Sequence, residues 1–282
     1  MDRFYLLTPA LVLLAIFLIA FLIYCGLHAV GRAPEVSGVK HNQLLGPFMA
    51  GFLVWLIGPV ERVLVGRVSP NVVTATSLVL CAVTGVVAAL GHLPRAVWLY
   101  AFAGILDVLD GRLARAAGKP APSGALFDSV SDRWGELFVF AGFAWFMHDS
   151  AWLLAVLAAI AGSMMVSYTR ARAEGLGVTL AGGGLMQRAE RIVLVAGGTL
   201  VAAWYGADPD NSDMVVPILG VTMLVCGVAA SATAINRWII AHRELARREA
   251  EPTLVRVDPP VVPAPAVTRA AAPARKVAGV LD

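Results

Sequence analysis

The sequence predicts an all-α polytopic membrane protein: a core of six transmembrane helices, an interfacial amphipathic helix and one extra transmembrane helix at the N-terminus. Composition is the first reason, because 59% of the 282 residues are apolar and only 15% are charged, whereas about a quarter of the residues of a soluble domain are charged. The second reason is that the apolar residues are gathered into runs of about 20, the length that crosses a bilayer as a helix. Together these observations place most of the chain in a membrane.

The first apolar run extends from about Leu6 to His28. It is longer than the apolar part of a secretory signal peptide, and no cleavage site of small residues follows closely. We therefore expect residues 1–30 to form the extra N-terminal transmembrane helix.

Residues 31–68 are expected to form a cytoplasmic linker followed by a juxtamembrane helix. From about residue 45 to 67, large apolar residues are followed by charged ones such as Glu61, and Gly58-Pro59 interrupts the segment. This mixture is typical of an amphipathic helix that lies in the membrane interface. A short, kinked transmembrane helix is the alternative.

Six further apolar runs define the predicted catalytic membrane domain, residues 69–240. The breaks between them are short and contain glycine, proline or acidic residues, as expected for loops between antiparallel helices. The runs cover about 71–91, 96–117, 125–147, 151–172, 189–206 and 214–240.

Residues 241–282 are predicted to form a cytoplasmic tail. The segment is charged up to Glu251, and from Pro252 onwards it is rich in proline, alanine and valine. A segment of this composition has too few large apolar residues to form a packed core, so we expect it to be largely disordered.

The distribution of Lys and Arg predicts the orientation of the core. If the first core helix begins in the cytoplasm, the cytoplasmic ends collect nearly all basic residues and the opposite ends receive only Arg95. Basic residues favour the cytoplasmic side, so both ends of the core are expected inside and the N-terminus outside. The cytoplasmic set is Arg62, Arg67, Lys119, Arg170, Arg172, Arg188, Arg191 and Arg237.

The net charge of +3 is too small to indicate a nucleic-acid partner. The three cysteines, Cys25, Cys81 and Cys226, lie far apart in apolar runs. They are expected to be buried as small apolar residues, with neither a disulfide framework nor a zinc site.

Four aspartates mark the candidate site. Asp107 and Asp110 are three residues apart, and Asp128 and Asp132 are four apart, so each pair shares one face of a helix. The turn between the two helices is short, which brings all four carboxylates together. Such a cluster needs cations to stay ionised, and hard divalent ions such as Mg²⁺ or Mn²⁺ prefer oxygen ligands.

Glycines and arginines beside the aspartates point to a phosphate ester. Gly111 and Gly124 remove side-chain bulk and let a ligand approach the backbone, and Arg112 and Arg115 add positive charge to the same helix end. The alternative is that the carboxylates only pair with these arginines and with Arg133 at the membrane boundary, but ionisable groups at this depth are functional by default.

The stretch resembles the signature of the CDP-alcohol phosphatidyltransferase family, D-x2-D-G-x2-A-R-x8-G-x3-D-x3-D. The resemblance covers about residues 65–240, so the predicted fold is the six-transmembrane-helix core of that family. The matching residues are Asp107, Asp110, Gly111, Ala114, Arg115, Gly124, Asp128 and Asp132.

This resemblance implies the transfer of a phosphatidyl group from CDP-diacylglycerol to a small alcohol, at a site that holds two ions of Mg²⁺ or Mn²⁺ and opens to the cytoplasm. The reaction would be a direct displacement in which Asp132 takes the proton from the acceptor hydroxyl and CMP leaves. The metal ligands implied by the resemblance are Asp107, Asp110, Asp128 and Asp132.

The resemblance also assigns the CDP-diacylglycerol contacts. Gly111 and Arg115 would contact the CDP moiety, and Asn71 and Thr74 belong to a segment similar to the Pro-Asn/Asp-x-x-Thr entry to the nucleotide pocket. A serine or threonine often stands three residues before the second glycine in the inositol-phosphate branch of the family, but here that residue is Ala121.

Arginines near the ends of two later helices suggest a phosphorylated acceptor, because arginine matches phosphate oxygens bidentately. The segments resemble those of phosphatidylinositol phosphate synthases and their archaeal-lipid relatives, which implies that Arg170, Arg188 and Arg191 hold the phosphate of inositol 1-phosphate. Gln187 stands where those proteins have a glutamate. Glycerol 3-phosphate is the alternative acceptor, and cytoplasmic topology alone is the alternative reason for the arginines.

Two other classes of protein, a cation transporter and a membrane scaffold, fit these residues less well than a transferase. A cation transporter would need its carboxylates near the middle of the bilayer, whereas these lie at helix ends beside arginines; a membrane scaffold would leave the aspartates unexplained. We expect an integral protein of a bacterial or archaeal cytoplasmic membrane and, by the resemblance, a homodimer.

Overall fold

The computed structural model describes residues 3–32, 46–118, 121–180, 184 and 186–250. Within these residues it contains eight α-helices and one short 3-10 helix, Pro209–Met214, which confirms the predicted all-α class. The helices are α1 (Arg3–Ala29), α2 (Gly46–Leu64), α3 (Pro70–Ala89), α4 (Leu93–Ala116), α5 (Pro122–Phe146), α6 (Leu153–Gly175), α7 (Arg188–Gly206) and α8 (Val215–Ala250).

Proline sets the start of three helices. Pro70, Pro94 and Pro122 lie in the first turns of α3, α4 and α5, where the missing N–H would have no helical partner in any case. Part of the predicted linker, residues 33–45, and most of the predicted tail, 251–282, lie outside the described residues.

The break predicted at Gly58-Pro59 is wrong, because α2 runs through it to Leu64. Side-chain packing of α2 against α1 and α4 explains why the helix continues through Pro59. Phe52 is fully buried against aromatic rings of α1, and Ile57 is buried beside Leu109 and Leu113 of α4. This packing outweighs the single backbone hydrogen bond that an internal proline removes.

Three segments are long and apolar enough to cross a membrane by length and composition: Pro70–Ala89, Leu153–Gly175 and Pro209–Ala250. The helices α4, α5 and α7 are 24, 25 and 19 residues long, but they carry the aspartates and arginines of the candidate site. These charges lower the apolar content of the three helices.

One apolar core joins α3 to α8. The helices approach closely where glycine faces backbone: Gly142 of α5 lies against Gly85 of α3, and Gly227 of α8 lies against the backbone of α6. Cys81 and Cys226 are buried in the same core, Cys25 is half-buried in α1, and all three are free thiols.

The close contact of α3 and α5 gives a stability prediction. A methyl group on Gly142 would overlap the backbone of Gly85, and overpacking of this kind costs about 1–3 kcal/mol. We expect Gly142→Ala to lower the thermal unfolding temperature of the detergent-purified protein.

Gly197→Ala is the matched control. Gly197 is also inside a helix but has nothing within 4 Å of the position of an added methyl group, and alanine is favoured over glycine in a helix by about 1 kcal/mol. Its unfolding temperature should stay constant or rise. Equal behaviour of the two variants would contradict the close contact between α3 and α5.

Candidate active site

The aspartates of α4 and α5 form a carboxylate cluster. Asp107, Asp110 and Asp128 each offer an oxygen, and these oxygens lie within 4.8 Å of one another. Opposite ligands of an octahedral Mg²⁺ are about 4.2 Å apart, so small side-chain adjustments would let the three carboxylates share one ion. Oxygen-only donors fit a hard divalent cation.

Thr74 fixes one member of this cluster. Its hydroxyl donates to Oδ2 of Asp110 at 2.6 Å and also lies 3.1 Å from the carbonyl oxygen of Pro70. Thr74 and Asp110 are only 4% and 3% exposed, so the hydrogen bond orients a largely buried carboxylate. Thr74, predicted to line the nucleotide pocket, thus contacts a metal-ligand candidate through its hydroxyl.

Asp132 is not one of these three carboxylates, but it lies beside Asp107. Its carboxylate and that of Asp107 both contact Nη1 of Arg188, the first residue of α7. Arg133 adds a second cation, with Nη1 3.3 Å from Oδ2 of Asp132. The arginines thus balance negative charge where α4, α5 and α7 meet.

The predicted nucleotide contacts lie at the same end of the bundle. Asn71 is exposed in the first turn of α3, and its Oδ1 lies 3.4 Å from the position that a Cβ on Gly124 would take. Likewise, Nη1 of Arg115 lies 3.5 Å from the position that a Cβ on Gly111 would take. The two glycines therefore leave room for backbone approach beside polar side chains.

A cavity opens beside Asp132, with an empty volume of about 580 Å³ that includes the part open to solvent. The three predicted acceptor arginines all line it, so side chains from the ends of α6 and α7 reach one cavity. Its lining is Asp132, Arg133, Glu136, Val166, Ser167, Arg170, Gln187, Arg188, Arg191 and Arg237.

Sequence reasoning missed Glu136 and Arg237 as site residues. Arg237 is buried in α8 and its Nη1 donates to the carbonyl oxygen of Val166 at 2.9 Å. The distribution of basic residues identifies Arg237 only as a cytoplasmic charge. Its place within a long apolar helix was the available signal, because buried charge in such a helix is expensive.

Glu136 forms a buried ion pair with Arg191. Nε of Arg191 lies 2.5 Å from Oε1 of Glu136, Nη2 lies 3.0 Å from Oε2, and both side chains are less than 5% exposed. Glu136 continues the spacing of four that joins Asp128 to Asp132. That acidic row along one face of α5 could have identified it.

Two other polar side chains, Arg170 and Gln187, also line the cavity. Arg170 is exposed at the rim, where its Nε donates to Glu174 at 2.9 Å. Nε2 of Gln187 is buried and has no hydrogen-bond partner within the described part of the chain. A buried donor without a partner carries a desolvation cost of about 1–3 kcal/mol.

The fold and site define a class of protein. The sequence model of the CDP-alcohol phosphatidyltransferase family matches residues 67–235, which include the carboxylate cluster and almost all of the cavity lining. The chain belongs to this family and is an integral membrane transferase of phospholipid biosynthesis.

Individual relatives narrow the class. A phosphatidylinositol phosphate synthase of Streptomyces avermitilis is 32% identical over 240 residues, covering 80% of this chain and 93% of the relative. An archaetidylinositol phosphate synthase of Methanothermobacter thermautotrophicus is 37% identical over 142 residues, covering 50% of this chain and 70% of the relative.

Two solved structures of a phosphatidylinositol phosphate synthase are similar to this chain. The phosphatidylinositol phosphate synthase of Mycobacterium tuberculosis with CDP-DAG bound has a TM-score of 0.57 and 28% identity, covering 66% of this chain and 94% of that one. The same protein in complex with manganese and citrate has a TM-score of 0.56 at 28% identity, covering 65% and 88%.

The Thr74–Asp110 hydrogen bond gives a prediction on metal affinity. Thr74→Val keeps the shape of the side chain but removes the donor, and loss of a group that orients a metal ligand typically weakens binding about 10- to 100-fold. We expect this loss in Mn²⁺ titrations followed by electron paramagnetic resonance.

Thr76→Val is the control, because the exposed Thr76 hydroxyl donates only to the carbonyl oxygen of Val72 within its own helix. Its Mn²⁺ affinity should equal that of the wild type. Equal weakening in both variants would mean that the effect is not specific to Asp110.

Proposed function

We propose that the protein transfers a phosphatidyl group from CDP-diacylglycerol to inositol 1-phosphate and releases CMP. The observation that carries this proposal is the arginine-lined cavity beside Asp132 and the carboxylate cluster. The names of the relatives support the choice of acceptor. Glycerol 3-phosphate or another small alcohol is the alternative acceptor, because Ala121 and Gln187 depart from the pattern of the inositol-phosphate branch.

The metal site is proposed to hold two ions of Mg²⁺ or Mn²⁺. Asp107, Asp110 and Asp128 would be ligands, and Asp132 would join them at the second ion. The proximity of three carboxylate oxygens supports the site, and a manganese complex of the M. tuberculosis relative supports the class of ion. When bound, divalent ions neutralise a pyrophosphate and stabilise charge on the attacked phosphorus.

Donor binding is proposed for the open end of α3 and α4. Asn71, Thr74, Gly111 and Arg115 would contact CDP-diacylglycerol, with Arg115 supplying positive charge to the diphosphate. The support is the position of Asn71 beside Gly124 and of Arg115 beside Gly111, the contact of Thr74 with Asp110, the residue before Gly111, and the CDP-DAG complex of the M. tuberculosis relative.

Acceptor binding is proposed for Arg170, Arg188 and Arg191, with Arg237 as a fourth cation in the same cavity. Asp132 lies among them and would accept the proton of the acceptor hydroxyl. The freed oxygen attacks the phosphorus that bears diacylglycerol, the bond from this phosphorus to the CMP oxygen breaks, and CMP leaves with the electron pair. One displacement completes the transfer without a covalent enzyme intermediate.

The membrane arrangement is part of the proposal. The helices α3 to α8 would form six transmembrane spans, residues 69–240, with the arginine-rich ends and the active site in the cytoplasm of a bacterial or archaeal cell. Residues 1–30 would add the extra span, residues 31–68 the linker and interfacial helix, and residues 241–282 the cytoplasmic tail. Exposed apolar side chains on the outer faces of the bundle suit lipid and a homodimer interface.

The decisive experiment measures CMP release by the purified protein with CDP-diacylglycerol and Mg²⁺. Inositol 1-phosphate, glycerol 3-phosphate, serine and free inositol are offered separately, and Asp132→Asn serves as the inactive control. We expect release with inositol 1-phosphate and its loss in the variant, because the amide cannot take the proton. CMP release with glycerol 3-phosphate alone would identify glycerol 3-phosphate as the acceptor in place of inositol 1-phosphate. Failure to bind CDP-diacylglycerol would overturn the proposal.

A matched pair of arginines tests the acceptor cavity. Arg170 lines the cavity, whereas the exposed Arg172 of the same helix does not. We expect Arg170→Gln to raise the KM for the phosphorylated acceptor about tenfold, because the loss of one hydrogen bond to a charged group weakens binding by roughly this factor. Arg172→Gln should leave this KM unchanged, and equal effects would argue for general charge attraction instead of a contact.

A further inference from the structure

We infer that Glu136 is a positioning residue that presents Arg191 to the phosphate of the acceptor. The inference rests on the proposed function, because it assigns how that acceptor is held. The observation that carries it is the set of hydrogen bonds that the N–H groups of Arg191 donate.

A guanidinium has five N–H groups in one plane. Arg191 uses Nε and one N–H of Nη2 on Glu136, at 2.5 and 3.0 Å, and one N–H of Nη1 on the carbonyl oxygen of Met186 at 3.2 Å. Among the described residues, one N–H on each of Nη1 and Nη2 then has no protein acceptor. Arg191 also lines the cavity.

The backbone that carries this arginine is also held in place. The N–H of Met186 donates to Oγ1 of Thr233 at 3.1 Å, and the N–H of Arg191 donates to the carbonyl oxygen of Gln187 at 3.1 Å. Glu136 in turn belongs to α5, one helical turn beyond Asp132. The pair therefore fixes Arg191 relative to the residue proposed as general base.

The lining of the cavity favours an anion. It contains five arginines and only two carboxylates, Asp132 and Glu136. Because Glu136 is bidentate to Arg191, it orients this cation and its own negative charge is matched within the cavity wall. A guanidinium held in this way can offer its remaining N–H groups to phosphate oxygens, so the ligand class is a phosphate monoester.

The test compares Glu136→Gln and Glu136→Asp by steady-state kinetics. Glu136→Gln loses the charge and one of the two oxygens, and we expect the KM for inositol 1-phosphate to rise about 10- to 100-fold. Glu136→Asp keeps the charge and the fold but draws the guanidinium back by one methylene group, and we expect a smaller rise in the same KM. In both variants the KM for CDP-diacylglycerol and the Mn²⁺ affinity should stay within about twofold of the wild type.

Glu244→Gln is the matched control, since Glu244 pairs with Arg247 and Arg248 far along α8 and outside the cavity. It should leave every parameter unchanged. The double variant Glu136→Leu with Arg191→Met adds a test that separates binding from folding, because apolar replacement of a buried ion pair is often neutral for stability. It should unfold near the wild-type temperature and still show the raised acceptor KM.

Three outcomes would overturn the inference. The first is an unchanged acceptor KM in Glu136→Asp and Glu136→Gln. The second is a joint loss of acceptor, donor and Mn²⁺ binding, which is what a merely structural role predicts. The third is a wild-type enzyme that turns over only unphosphorylated alcohols, which would refute the proposed acceptor at the same time; turnover of glycerol 3-phosphate would leave Glu136 testable in the same way.

Discussion

Arg188 contacts the carboxylates of Asp107 and Asp132 together, and so joins α7 to both α4 and α5. The physical constraint behind this contact is that charged groups inside an apolar bundle must be matched by opposite charge. These three side chains are only partly buried, so each contact stabilises less than the roughly 3–5 kcal/mol at stake in a fully buried pair. The helix ends that carry the candidate site are held together by the charges of its own residues.

A fully buried ion pair, Arg191 with Glu136, lies one helical turn deeper. Arg191 lies three residues after Arg188, and Glu136 lies four residues after Asp132. Both pairs connect α5 with α7, so the rotation of each helix about its axis is fixed at two levels. This explains how a cavity lined by five arginines can coexist with a stable bundle.

The remaining helices support this centre by different means. Glycine contacts bring α5 close to α3, which carries Thr74 to Asp110. The helix α2 is joined to α4 by apolar packing and by the ion pair of Glu61 with Arg112. Aromatic rings of α1 pack against Phe52 of α2, so the N-terminal helix is connected to α4 partly through α2.

The class of protein and the carboxylate cluster could be predicted because both depend on short-range patterns. Runs of about 20 apolar residues determine membrane helices, and the spacing of Asp107, Asp110 and Asp128 places the carboxylates on helix faces next to a short turn. The signature around them contains enough fixed positions to identify the family before any coordinate is known.

The partners of the polar side chains could not be predicted in this way. The contacts of Thr74 with Asp110, of Arg188 with Asp107, and of Arg191 with Glu136 join residues 36, 81 and 55 positions apart. No local pattern encodes which helix faces which, or how far each is rotated. The sequence by itself determined the helices, the membrane and the reaction class, whereas the tertiary structure alone decided how each charge is paired, because pairing depends on the packing of the whole bundle.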